Sequence, residues 1–447
     1  MPIIKEEQKA LRPYQLEGIN HMFDFFYSRK SGMILGDEAG LGKTVQALKV
    51  IERFSEHGGK LFLAIVPAFL KHKWAKELEK WVPDRTFTVI VKSYEDIRNP
   101  ETFSYLMLQR FDLLVFDEMH YLKNFESKRT AAGLGNPRNP SGLVSRAKYV
   151  LGISATYIPQ RVGEIYQWLW ANKIPIIKNM SYDDWVYVWA QKTRVTKFGL
   201  THSGCKDPES LKELLAPYVL RRLQKDVARD LPDALFDYVH IKCSHEVYQT
   251  EMDLLREVLE KAGYKGLELT ALMESPDFFE TLLDTVPNFP QLASFRKQKG
   301  LLKIKPIMDF LKSEVLDTYN KFVVSTYHID VAREYAKQLK ADILITGMTP
   351  ADQRDALIDE AEKKEKCVMV VTMNSVKEGI DLVSFNRIFH TEFDWTPMLH
   401  TQFNRRFLRI GQKNTVFHTY FQYDKGIERK IFDTLSEKRR TVDAIID

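Results

Sequence analysis

The chain has 447 residues, 44% hydrophobic and 28% charged, with 65 Lys and Arg against 60 Asp and Glu for a net charge of +5. That composition suits a globular protein with ample core, in two large domains or three ordinary ones, and the small positive excess does not by itself demand a nucleic-acid partner. Cys205, Cys243 and Cys367 fit no metal or disulfide spacing, the N-terminus lacks a secretory apolar core and no apolar run approaches the ~20 residues of a membrane helix, so the expectation is a soluble cytoplasmic protein without a membrane partner.

Leu11–Tyr27 reads as a helix that starts Arg-Pro-Tyr-Gln; Gln15 carries an amide able to read an adenine edge, or is simply a surface residue. Met33–Leu35 reads as a buried strand, broken by Gly36, Gly40 and Gly42. Lys43 and Thr44 then open a helix with Ala47, Val50, Ile51 and Phe54 on one face. Strand, glycine loop and helix read as a phosphate cradle, in which Lys43 would reach the β- and γ-phosphates of a polyphosphate and the Thr44 hydroxyl would ligate Mg²⁺; a glycine turn that merely starts a helix is the alternative. The strict pattern would have Gly where this chain has Asp37. Leu61–Val66 is a second buried strand, followed by a helix with Trp74, Leu78 and Trp81 as core and Lys71, Lys73 and Lys76 as either a solvated or a nucleic-acid face. Leu113–Phe116 is a third, ending in Asp117 and Glu118, where open α/β sheets bind ligands. Asp117 is placed to hold Mg²⁺ and Glu118 to orient or deprotonate a water. Gly133–Gly142 reads as a non-helical insertion, among Arg129, Arg138, Arg146 and Lys148.

Tyr149–Ile153 is a fourth strand, leading into Ser154-Ala155-Thr156, and the aromatic stretch Tyr157–Arg194 reads as a helical subdomain. Leu211–Val227 reads as a helix, a proline break and a basic segment, and Val247–Leu302 as mostly helical. A second α/β pattern follows: strands at Phe322–Ser325, Ile343–Ile345, Val368–Val371, Ile388–His390 and Val416–Tyr420. Near its end Arg406 and Arg409, three apart, are expected on one helix face, as arginine fingers or as a basic surface.

In order, these blocks resemble the Swi/Snf-type DNA translocases of helicase superfamily 2. Leu11–Gly18 is similar to the adenine-reading block, Asp37–Thr44 to the phosphate loop, Ile65–Leu78 to motif Ia, Asp117–Asn124 to motif II and Gly152–Thr156 to motif III. Tyr218–Pro232 resembles a segment that helicases outside this subgroup generally lack. Ser325–Leu339, Val371–Leu382 and Gln402–Gln412 are similar to motifs IV, V and VI, although Lys377, Glu378, Arg405 and Leu408 depart from the usual pattern. The resemblance implies an α/β fold of two RecA-like doubly wound parallel-sheet domains, residues 1–232 and 233–447, with helical insertions at about 157–230 and 247–302. It implies ATP and Mg²⁺ as cofactors, with Lys43, Glu118, Arg406 and Arg409 catalytic and Thr44 and Asp117 on the metal. Nucleotide contacts would come from Arg12, Gln15, Asp37, Gly40, Leu41, Gly42, Lys43, Thr44, Gly379, Asp381 and Gln402. DNA contacts would come from Lys71, Lys73, Arg129, Arg138, Lys377 and Arg405. The implied activity is that of a DNA-dependent ATPase, an ATP hydrolase that as a monomer unwinds or remodels branched or forked DNA. A duplex translocase that displaces bound protein and an ATP-switched DNA clamp are the alternatives.

Overall fold

The structure is a computed structural model, and it describes residues 11–29, 32–124, 127–136, 140–159, 161–196, 199–227, 232–261, 266, 290–376, 381–393, 397–409, 411–426, 428 and 445. The chain divides into two compact units, Met1–Arg229 with Thr441–Asp447, and Asp230–Arg440.

The first unit is built on a six-stranded sheet. Its strands are β1 (Met33–Leu35), β2 (Leu61–Val66), β3 (Thr88–Ser93), β4 (Phe111–Asp117), β5 (Ala147–Ile153) and, after a separate hairpin of β6 (Lys192–Thr196) and β7 (Gly199–Ser203), β8 (Val219–Leu220). The order is β3-β2-β4-β5-β1-β8, and every pair in it is parallel. Parallel strands need crossovers that cover both faces, so the central ones must be apolar on both sides. Met33, Ile34, Leu35, Leu63, Ala64, Ile65, Leu113, Leu114 and Val115 are accordingly buried without alternation. Helices α1 (Pro13–Arg29), α2 (Lys43–Glu56) and α3 (Lys71–Trp81) join this core, α2 through Ala47, Val50, Ile51 and Phe54.

The second unit has a sheet of β9 (Ala234–Ile241), β10 (Lys321–Thr326), β11 (Ile343–Ile345), β12 (Cys367–Thr372), β13 (Arg387–His390) and β14 (Val416–Tyr423). Its order is β11-β12-β10-β13-β14-β9, again parallel throughout. Two apolar clusters line this sheet, one around Met369, Phe385 and Phe403 and one around Ile307, Tyr335 and Phe421. Two parallel doubly wound sheets are the fold class the sequence implies.

Several elements differ from the sequence reading. The expectation for Tyr157–Arg194 is helical, yet its end runs into the antiparallel β6–β7 hairpin, whose alternating Lys-Thr-Arg-Val-Thr offers no continuous apolar signal. Within the supposed basic segment, Val219 and Leu220 pair with Ile34 and Leu35 as an edge strand. Gly133 is helical, contrary to the reading of Gly133–Gly142: the helix Lys128–Leu134 is capped by Ser127 and stops only at Gly135, where φ is 76°. Trp168 and Trp185 are fully enclosed, the Trp185 indole donating to the Val162 carbonyl at 2.9 Å, so these rings are core.

Candidate nucleotide and nucleic-acid site

The carboxyl edge of the first sheet gathers the chemistry-bearing residues. β4 and β1 flank β5, so Asp117, Ser154 and Gly36 emerge side by side. After β1 the loop turns on Gly40 (φ 90°) and Gly42 (φ 73°), left-handed positions that glycine occupies without strain, and Gly42 caps α2. Leu41 is buried, and its carbonyl accepts from Tyr14 Oη at 3.2 Å, Gln15 Nε2 at 3.2 Å and Gln46 Nε2 at 3.3 Å. Gln15 Oε1 also accepts from the Arg12 backbone N at 3.0 Å, tying the start of α1 to the loop. Gln15 therefore supports the phosphate loop in this structure, and a methyl group at Gly42 would strike its Nε2 at 2.3 Å.

Lys43 Nζ donates to the Asp37 carbonyl at 2.8 Å and the Glu38 carbonyl at 3.2 Å. Phosphate oxygens can replace those neutral acceptors with stronger, charged ones. The first amides of α2, which have no acceptor one turn earlier, open toward the same loop. The Asp37 carboxylate faces the other way. It is completely buried and takes Arg222 Nε at 3.0 Å and Gln46 Nε2 at 3.0 Å, with Arg222 Nη2 also bonded to it. Asp37 thus shapes the loop from behind.

Sequence reasoning does not single out Arg221 and Arg222, although they lie within the stretch that carries its most diagnostic resemblance. Arg222 also donates to Gln46 Oε1 at 2.7 Å and to the Tyr14 carbonyl. Arg221 Nη1 bridges the Gly36 carbonyl at 2.6 Å and the Ala155 carbonyl at 2.8 Å, joining the phosphate loop to the turn after β5. The backbone follows, with Gly36 N on the Leu220 carbonyl at 2.8 Å and Glu38 N on the Arg222 carbonyl at 3.0 Å.

Asp117 is buried, its Oδ2 accepting from the Trp74 indole at 2.7 Å and its Oδ1 from Glu118 N at 3.0 Å. Burial, then the charge of Glu118, push its carboxyl up to about 6, while Lys43 and the Trp74 bond pull the other way. Glu118 itself has φ 52°, a left-handed conformation unusual for a side chain of this kind. Its Oε2 lies 3.2 Å from His120 Nδ1, which is 3.1 Å from Ser154 Oγ. His120 Nδ1 thus lies between the Glu118 carboxylate and the turn after β5.

The residues at this edge suit both a nucleotide and a metal ion. Among the described residues no cluster of three or more His, Cys, Asp or Glu could hold a metal on its own. Mg²⁺ is characteristically held by one or two carboxylates and substrate phosphates rather than by a protein cage. Asp117 and Glu118, adjacent anions beside a lysine, leave negative charge for a divalent cation to neutralise.

Lys71 Nζ pairs with Asp96 Oδ2 at 2.8 Å, Lys73 is half-buried, and the Arg129 guanidinium lies 5.6 Å over the Tyr121 ring. Arg138, Lys377 and Gly379 lie outside the described residues.

In the second unit Asp381 pairs with Arg409, whose Nε also donates to the Arg405 carbonyl at 3.2 Å. Arg406 is buried, its carbonyl accepting from Leu382 N at 2.9 Å, and Gln402 is half-buried nearby in sequence. The expected shared helix face for Arg406 and Arg409 is not what forms. The helix Pro397–Asn404 ends first, because the amides of Arg406 and Phe407 bond three residues back and Leu382 occupies the Arg406 carbonyl. Both arginines stand on the turns that follow.

Residues 14–91 and 83–276 match the SNF2-related domain, and residues 303–411 match the helicase conserved C-terminal domain. The chain belongs to the SNF2-related family. It is 25% identical, over 96% of its length, to the SWI/SNF-related matrix-associated actin-dependent regulator of chromatin subfamily A-like protein 1 of Xenopus tropicalis. It is 22% identical over 98% of its length to a DNA annealing helicase and endonuclease of Bos taurus. It spans 44% and 40% of those proteins, less than half of each. A solved SWI2/SNF2 ATPase core of Sulfolobus solfataricus, in complex with double-stranded DNA, is 22% identical, with a TM-score of 0.44 over 98% of this chain and 93% of that one. Among the described residues of this SNF2-related chain, no helix is long and apolar enough to cross a membrane.

Proposed function

We propose that this SNF2-related chain is a DNA-dependent ATPase motor that moves along DNA and unwinds or remodels branched or forked duplexes. The observation that carries the reading is the single edge of the first sheet where Lys43, on its glycine loop, shares an electrostatic environment with Asp117 and Glu118. Family membership supports the reading, as does the likeness to a relative named as a DNA annealing helicase.

Lys43 would leave the Asp37 and Glu38 carbonyls for phosphate oxygens of ATP, while Leu41, fixed by three donors, keeps the loop in shape. Asp117 and the Thr44 hydroxyl would hold Mg²⁺, which when bound neutralises charge developing on the phosphates. Glu118 orients the attacking water and accepts its proton, steadied by His120. We assign Arg406 and Arg409 to the transferring phosphoryl group; Arg409 must release Asp381 to act. Arg12, Gln15, Gly379, Asp381 and Gln402 are proposed around the nucleotide, and Lys71, Lys73, Arg129, Arg138, Lys377 and Arg405 on the DNA backbone, a sequence-independent and salt-sensitive contact.

The test measures ATP turnover with and without DNA and strand displacement on forked and plain duplexes. DNA-stimulated turnover with faster displacement on forks is expected. Stimulation by plain duplex with no strand separation would favour protein displacement along duplex DNA, and no turnover at all would favour an ATP-switched clamp.

A further inference from the structure

Two hydrogen bonds reach Asp117 from the elements that lie beside Lys71. The Trp74 indole N–H donates to Asp117 Oδ2 at 2.7 Å, and the Tyr94 hydroxyl donates to the Asp117 carbonyl at 2.8 Å. Both aromatic residues are enclosed, at 1% and 0% exposure, so water does not compete for either bond. Trp74 rides on α3, one residue after Lys73 and three after Lys71. Tyr94 follows β3 inside a turn closed by Ser93 N on Asp96 Oδ2 at 2.8 Å and Asp96 N on Ser93 Oγ at 3.0 Å. Asp96 in turn holds Lys71 at 2.8 Å, which ties α3 to that turn.

The Lys71 side chain is 42% exposed, within reach of an external anion. A phosphate that takes Lys71 competes with Asp96, the residue that ties α3 to the turn carrying Tyr94. The Asp117 carboxylate is held at both oxygens, one by the indole and one by Glu118 N. Its plane therefore follows the indole. Such outer partners set the orientation and basicity of a metal ligand.

We propose that Trp74 is a positioning residue through which DNA phosphate bound at Lys71 and Lys73 sets the orientation of Asp117, and with it the hold on the divalent cation of the nucleotide. This rests on the reading of the chain as a DNA-dependent ATPase. Trp74→Phe removes the N–H together with part of the buried indole, whereas Tyr94→Phe keeps its ring and removes only the hydroxyl of the second arm.

The experiment titrates Mn²⁺ calorimetrically into the full chain with a non-hydrolysable ATP analogue, with and without duplex DNA, beside turnover measurements. W74F is expected to weaken Mn²⁺ binding about tenfold and to abolish the difference that DNA makes to that binding in the wild-type chain, with DNA affinity unchanged. Y94F should show a smaller loss with the same effect on the DNA difference, and decides the matter if W74F does not fold. Wild-type Mn²⁺ binding in both variants, or a loss identical with and without DNA, overturns the proposal while leaving the ATPase reading intact. A wild-type chain whose turnover ignores DNA overturns both.

Discussion

At the carboxyl edge of the first sheet, β1 and β5 lead into Gly36 and Ser154 and β4 ends at Asp117, and this edge holds a glycine loop, a lysine and a pair of carboxylates. The second sheet has rings packed along its strands. His390 stacks on Tyr420 with centroids 4.0 Å apart, bonds Ser325 Oγ through Nδ1 at 2.8 Å and meets His418 through Nε2 at 3.1 Å. These rings lie along the strands themselves, and just past the ends of β10 and β13 His328 Nδ1 meets Glu392 Oε1 at 2.7 Å. Similar sheets are therefore finished differently: the first leads into a glycine loop with its lysine and carboxylates, and the second carries Asp381, Arg406 and Arg409 on connections outside the sheet. Buried polar groups in the first unit are satisfied by the Asp37–Arg222 network, and in the second by the Lys299–Glu251 pair at 2.7 Å as well as by the His390–His418 contact.

The sharpest way to break this contrast is to remove charge. Lys43→Ala and Glu118→Gln are each expected to lower steady-state ATP turnover about 10²–10⁴-fold, and E118Q should still bind nucleotide. Arg409→Ala, on the second unit, should lower it about 10³-fold if the assigned role holds, and near-wild-type turnover would confine the chemistry to the first unit.

Next in size is the support behind the phosphate loop. Arg222→Ala strands the Asp37 carboxylate, which is completely buried. Chemical denaturation should show a loss of about 3–5 kcal/mol in the first unit, the range for breaking a buried ion pair.

The second unit should answer to acid. Burial drives the His390 imidazole well below its ordinary range and His418 down to about 3, with the neighbouring histidines adding to the effect at His390. In the unfolded chain both titrate near ~6.5. The unfolded state therefore binds protons first, and stability falls as the pH drops from about 6.5 toward 3, by roughly 1.4 kcal/mol per pH unit for each histidine. Denaturation at pH 7 and 5.5, followed by a probe in the second unit, should show this slope, and His418→Asn should flatten it.

The smallest effect is expected at the Lys71–Asp96 pair. Both side chains are partly exposed, so Asp96→Asn should change stability by no more than about 1 kcal/mol, read from the same denaturation curves.

The sequence reveals central strands because strands buried on both faces must be continuous apolar runs: Met33–Leu35, Leu61–Val66 and Val368–Val371 could hardly be anything else. It conceals the strands that lack that signal. Thr88–Ser93 is only half-buried along most of its length, Val219–Leu220 is two residues long, and Ala234–Ile241 exposes Leu235, Phe236 and Tyr238 on an edge. At the site, Lys43, Asp117 and Glu118 are legible because backbone turns and strand ends fix where they emerge. Their partners are not. Periodicity marks Trp74 as buried but is silent on where its N–H points, and Arg222 looks like any basic residue until Asp37, 185 positions away, is folded against it.

Glu118 carries a larger meaning for the molecule as a whole. A residue with a long side chain held at φ 52° forgoes on the order of 1–3 kcal/mol relative to relaxed backbone. Selection for heat resistance alone would favour glycine there, and the carboxylate would go with it. On the proposed reading, in which Glu118 orients the attacking water, the kink marks a position where durability and chemistry pull in opposite directions.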